Sequence, residues 1–117
     1  MPVENKDTLT NIYRFFNARD IDSILAFMTE DVHWPNGWEG GYVEGHEGIR
    51  DYWTRQWAEI NPNVEPVVFN EKEDGHIEVE VHQVVKDLEG NLIFDDMVKH
   101  VYSFSDHLIK NMEIEKL

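Results

Sequence analysis

The chain contains no cysteine. Disulfides, thiolate metal sites and a cysteine nucleophile are therefore excluded. Basic residues are scarce: 10 Lys and Arg stand against 24 Asp and Glu, a formal net charge of −14. That field repels a polyanionic backbone or an anionic lipid surface, so neither nucleic acid nor a membrane is an expected partner. No apolar run approaches the ~20 residues needed to span a bilayer. The opening Met1-Pro2-Val3-Glu4-Asn5-Lys6-Asp7 lacks the apolar centre of a signal peptide. Together with the missing cysteine, this leaves a cytoplasmic protein as the expectation. There are no internal repeats and no low-complexity segment.

What is present is enough for one folded domain over residues 1–117. The sequence is 41% hydrophobic and carries four tryptophans, a composition that disordered chains do not have. Six histidines are scattered at positions 33, 46, 76, 82, 100 and 107. None forms the tight helical pair of a zinc site, so no metal and no cofactor are expected.

Hydrophobic spacing divides the chain into helices first and strands last, the order of an α+β domain. Leu9, Ile12, Tyr13 and Phe16 fall at i, i+3, i+4 and i+7, predicting a helix over 7–18. Asp20 caps a second, whose stripe is Ile21, Ile24, Leu25 and Met28. Val32 and Trp34 alternate in a strand that Pro35 ends, and Asn36-Gly37 suits a turn. A glycine-bearing loop over 39–45 leads through a short strand at Tyr42 and Val43 into a third helix, 46–58. Its stripe is Ile49, Tyr52, Trp53, Trp57 and Ile60, and Asn61-Pro62-Asn63 stops it. Strands follow over 64–71, 76–86, 92–104 and 108–115, joined by turns at Glu73-Asp74-Gly75, Glu89-Gly90-Asn91 and Ser105-Asp106-His107.

The expected architecture is a cone: N-terminal helices packed on a strongly curved antiparallel sheet that encloses a pocket. On the long strand, Phe94, Asp96, Val98, His100, Tyr102 and Phe104 share one face by period two. Met97 and Val101 fall on the other face, and covering that face suggests a homodimer. His100 and Tyr102 lie roughly 6.6 Å apart along such a strand and Asp96 about 13 Å from His100. His82, on the neighbouring strand, shares parity with the solvated Glu78 and Glu80 and reaches the pocket only through a bulge. Tyr13, Phe16, Trp34, Trp53 and Trp57 supply an aromatic wall, as pocket lining or as plain core.

Several segments resemble the nuclear transport factor 2-like superfamily, which includes ketosteroid isomerase-like and SnoaL-like (polyketide cyclase-like) proteins. Tyr13-Arg14-Phe15-Phe16-Asn17-Ala18-Arg19-Asp20-Ile21-Asp22 is similar to their first helix-turn-helix. Ala26-Phe27-Met28-Thr29-Glu30-Asp31-Val32 resembles the acidic pair before the first strand. Gly45-His46-Glu47-Gly48-Ile49-Arg50 resembles the opening of the third helix, and Val101-Tyr102-Ser103-Phe104 with Leu108-Ile109-Lys110-Asn111-Met112 the closing hairpin. The resemblance places His100 on the concave side. It also implies departures from the isomerases. Their carboxylate base falls at Asn36, their tyrosine donor at Ile12 beside Tyr13, their protonated aspartate at His100 and their supporting tyrosine at Trp53. All four arginines lie in helices or their turns, so the Asp-Arg-Asp set of the epoxide hydrolase branch is missing. Asp96 and His100 are of the kind that the polyketide cyclases use on their late strands.

Three functions stay open on these residues. The first is a cofactor-independent isomerase, cyclase, dehydratase or hydrolase acting on a small apolar or carbonyl-bearing molecule. In it His100 is the acid–base, with Asp96, Tyr102 and Asn36 in support. The second is a binding protein with the same pocket and no chemistry. The third is a dimeric interaction module.

Overall fold

The computed structural model describes residues 5–36 and 40–116. Part of the expected Asn36-Gly37 turn, with Trp38 and Glu39, lies outside the described residues, as does the segment 1–4. Helix α1 (Asn5–Asn17) buries Leu9, Ile12 and Tyr13, the face that the spacing required. Arg19 then takes φ 64 and turns the chain, its guanidinium donating to the carbonyls of Phe16 at 3.2 Å and Pro62 at 2.8 Å. Asp20 caps α2 (Ile21–Leu25) by accepting the Ser23 N–H at 3.3 Å.

Met28, expected on that helix, instead opens strand β1 (Met28–Pro35). The Phe27 carbonyl accepts the Ile109 N–H at 2.8 Å, so sheet pairing captures the chain after five helical residues. Strand β2 (Tyr42–Glu44) is short, and α3 (Gly45–Trp57) follows it directly. Gly45 is required at that corner: its φ is +77°, and a β-carbon would lie 3.3 Å from the Glu30 carbonyl oxygen.

The remaining strands are β3 (Ile60–Glu71), β4 (Ile77–Asp87), β5 (Leu92–Ser105) and β6 (Leu108–Lys116). One six-stranded sheet runs in the order β2-β1-β6-β5-β4-β3. Every neighbouring pair is antiparallel except β1 with β6. The sheet expected to be antiparallel is thus mixed. A connection through α3 and four strands is long enough to join a parallel pair. Strand β3 takes in Pro62, which the sequence reading assigned to a helix stop. It is the last strand in the order, where proline removes no ladder bond from a central strand.

Register shifts at Pro66/Val68, Val85/Lys86 and Ser103/Phe104 bend the sheet into an open curve. Helices α1 and α3 cover the concave face, and the core fills the space between them. The convex face is charged: Lys99 lies 3.6 Å from Glu78 and 3.4 Å from Glu115. Among the described residues no helix is long and apolar enough to cross a membrane.

Candidate functional site

Between the helices and the concave sheet lies a cavity of about 870 Å³. Its apolar walls come from Ile12 and Phe16 of α1, Trp34 of β1, Trp53 of α3, Val64 of β3 and Val98 of β5. Exposed Ile93, Phe94 and Ile114 form part of its rim. The lining includes Phe94, Asp96, Val98, His100 and Tyr102, so the period-two row on β5 faces the cavity. Phe104, further along the same row, packs against the core and does not line the cavity.

Three of these side chains meet in a buried chain. The Tyr102 hydroxyl donates to the Tyr13 oxygen at 2.7 Å, and the Tyr13 hydroxyl stands 2.8 Å from His100 Nδ1. With its oxygen occupied by Tyr102, Tyr13 directs its own proton to Nδ1. The imidazole proton then sits on Nε2, for which no partner is found among the described residues. The Tyr13 and His100 rings stack at 5.9 Å, and Tyr13 meets Tyr102 edge-on at 6.3 Å.

Burial sets the charge of this group. It pushes His100 down to about 4, so the imidazole is neutral at physiological pH. Burial also raises Tyr13 well above the usual phenol range, and the adjoining Tyr102 raises it further. Tyr102 is raised by burial too, against a smaller opposing pull from its bond to Tyr13. All three therefore act as neutral hydrogen-bonding groups in an apolar surround, an arrangement suited to polarising a carbonyl or holding a developing oxyanion.

The aromatic wall is only partly as expected. Trp34 touches Tyr102 at 6.1 Å and Trp53 at 5.7 Å, and Phe16 packs edge-on to Trp53 at 5.4 Å. Trp57 is not in the lining. It stacks behind Trp53 at 5.7 Å, with the Arg19 guanidinium 5.0 Å from its ring. Asn36 is buried but belongs to a turn: its N–H bonds the Gly41 carbonyl and its carbonyl accepts the Gly40 N–H, both at 2.9 Å. It too is absent from the cavity wall.

His82 does not enter. The β4–β5 register runs unbroken from Ile77 to Val85, so parity keeps it on the convex face, where Nε2 lies 2.6 Å from Asp95. Asp96 is exposed at the rim, accepting the Met97 N–H at 2.7 Å rather than touching His100.

Sequence reasoning gave Tyr13 a place in the wall and missed its position as the hub of the chain. It missed Gln56 altogether. That residue lines the cavity and donates to the Tyr52 hydroxyl at 3.1 Å. The signal was present: Gln56 is a polar residue at i+4 from Tyr52 and i+3 from Trp53, inside an apolar stripe. Among the described residues no three His, Cys, Asp or Glu side chains gather to hold a metal ion.

Comparison with known proteins agrees with this architecture. No curated protein matches the sequence. A crystal structure of an NTF2-like protein of unknown function from Burkholderia pseudomallei K96243 superposes with a TM-score of 0.85 at 22% identity, over 99% of this chain and 92% of that one. TerC co-crystallised with polyporic acid gives 0.83 at 27% identity, over 97% and 91%. The epoxide hydrolase/cyclase-like enzyme SalBIII, from pyran ring formation in the polyether salinomycin, gives 0.80 at 18% identity, over 95% and 88%. The SnoaL-like domain matches residues 9–112, nearly the whole chain, and the protein belongs to that family.

Proposed function

We propose that this domain is a cofactor-independent enzyme of the isomerase, cyclase or dehydratase type, acting on a small, uncharged, largely apolar cyclic carbonyl compound. The observation that carries the reading is the Tyr102–Tyr13–His100 chain buried in an apolar cavity. In it, His100 Nε2–H donates to the substrate carbonyl oxygen and strengthens that bond as negative charge develops there. Tyr13 fixes the tautomer, and Tyr102 fixes Tyr13. His100 is thus an electrophilic donor rather than the acid–base that its residue type first suggested, because a group pushed down to about 4 does not carry a proton for transfer near neutrality. Asp96, about 13 Å along the strand, acts on the far end of the substrate as proton acceptor.

The binding of polyporic acid by TerC and the cyclase chemistry named for SalBIII support a cyclic, oxygenated substrate. The test begins with a thermal-shift screen of cyclic ketones and polyporic acid, followed by product analysis of each binder. Exchange of His100→Phe should lower kcat/KM by about 10²–10³. Activity that survives this change would overturn the assignment.

A second reading is a binding protein without turnover. Among the described residues no carboxylate is hydrogen-bonded to the buried chain, which favours it, and ligand-dependent stabilisation with no product would establish it. A homodimeric interaction module is the third. Exposed Leu88, Leu92 and Ile93 near the β4–β5 turn support it as a contact surface, and light scattering reporting a monomer would remove it.

A further inference from the structure

Beyond the buried chain, β3, β4 and β5 bring one polar row to the cavity wall. The register sets Pro62, Val85 and Phe94 side by side, and four residues back along β4 it sets Val81 beside Val98. Between these apolar rows stand Gln83 and Asp96, direct cross-strand partners, with Val64 facing Gln83 from β3. Both polar residues line the cavity. A valine at position 83 would continue the stripe of Val81 and Val85 with no amide to satisfy. Among the described residues the Gln83 side chain has no hydrogen-bond partner, and its amide atoms are not sealed from water. Asp96 uses Oδ1 to accept the Met97 N–H, which leaves Oδ2 to accept another bond. Opposed residues on paired strands hold their Cβ atoms about 5 Å apart. One oxygen atom, donating at about 2.7 Å to the carboxylate and accepting at about 2.9 Å from the amide, fits between two such side chains. A carboxylate only accepts and an amide nitrogen only donates, so the group between them has to do both, as a hydroxyl does.

We propose that Gln83 is a specificity-determining residue that, together with Asp96, brackets a ligand hydroxyl at the mouth of the cavity. The ligand is then a hydroxylated cyclic ketone of some length. Its carbonyl oxygen takes the His100 N–H, and its hydroxyl, about 13 Å along the strand, lies between Gln83 and Asp96. This rests on the reading of the cavity given above and names the group that Asp96 meets. Among the described residues no Lys or Arg lines the cavity. The hydroxyl is accordingly bound un-ionised, and a carboxylate in its place is repelled by Asp96. A methyl ether in its place cannot donate, and it holds a carbon against the carboxylate.

The test compares two pairs of ketones, each a hydroxy compound with its methyl ether. In 4′-hydroxyflavanone and 4′-methoxyflavanone the substituent stands at the far end of a third ring. In 6-hydroxy-1-tetralone and 6-methoxy-1-tetralone it is too near the ketone to reach the mouth. Calorimetric titration near neutral pH should show the hydroxyflavanone binding about ten-fold more tightly than its ether, and the two tetralones within about two-fold of each other. Gln83→Met, or Gln83→Leu should Met fail to fold, should bring the flavanones within about three-fold, chiefly by weakening the hydroxy compound. His100→Phe should weaken all four and keep the flavanone ratio. A flavanone ratio unchanged by the Gln83 substitution overturns the assignment of Gln83 while leaving the cavity reading intact. A preference for the methoxyflavanone overturns it as well, and so does a ten-fold hydroxyl preference between the tetralones, which would put the hydroxyl site elsewhere. Failure of all four ketones to bind the unaltered protein removes the cavity reading and this inference with it.

Discussion

Lys99 and His100 are adjacent on β5 and point to opposite sides of one sheet. On the convex side, Lys99 lies between Glu78 and Glu115 and its pKa is raised, first by its hydrogen bond to Glu115 and then by the charge of Glu78. His82 meets Asp95 on the same surface. On the concave side, among the described residues, His100 is bonded to a tyrosine and set between two tyrosine rings, and burial lowers its pKa to about 4. Water screens the first set, so its ion pairs are interchangeable. Nothing screens the second, so each of its polar atoms depends on a specific partner. Polar groups on the two faces thus have different meanings: solubility outside, and a constrained site inside.

Substitutions should separate the faces in a graded way. The largest loss is expected for Trp53→Ala, which removes a fully buried ring touching Trp34, Phe16 and Trp57 and should cost about 3–5 kcal/mol in denaturant unfolding.

Next comes pH. The folded value of His100 lies below its ordinary 6.5, so on acidification the unfolded chain takes up this proton first. The stability tied to it is complete above about 6.5 and drains away as pH falls toward about 4, a loss of about 3 kcal/mol. In His100→Phe the drop between neutral pH and pH 5 should be distinctly shallower. An unchanged slope would mean that the imidazole is not buried neutral.

Tyr13→Phe should cost less, about 1–3 kcal/mol, because it leaves His100 Nδ1 and the Tyr102 hydroxyl without their partner. Nitrogen NMR should then show the imidazole losing its single tautomer, whereas the unaltered protein should hold the proton on Nε2. Last, Lys99→Ala on the convex face should leave the melting temperature within experimental error. A clear fall there would break the contrast between the faces.

Much of the fold was legible because period and turn chemistry act locally. The stripe Leu9, Ile12, Tyr13, the alternation of Ile77, Val79 and Val81, and the breaks at Gly75, Gly90 and Asp106-His107 all lie where the chain uses them. The departures occur where distant pairing intervened. Met28 left its helical stripe for β1 beside β6, and Pro62 entered an edge strand. The candidate site divides in the same manner. His100, Tyr102 and Asp96 share a face by arithmetic alone, and parity likewise sends His82 outward. Trp57 and Asn36 had the right residue type and the right segment, but stacking behind Trp53 and service in a turn took them out of the wall.

By itself, the sequence determined which residues alternate, which turn and which sit on one helical face, since each of these follows from a few neighbouring backbone angles. Only the tertiary structure decided that Tyr13 bridges Tyr102 and His100 across 89 and 87 positions of chain, and that Gln56 donates to Tyr52 within a buried wall. Such contacts depend on how a helix seats against a bent sheet. That seating is set by the packing of the whole core, a sum over many side chains that no short stretch of residues contains.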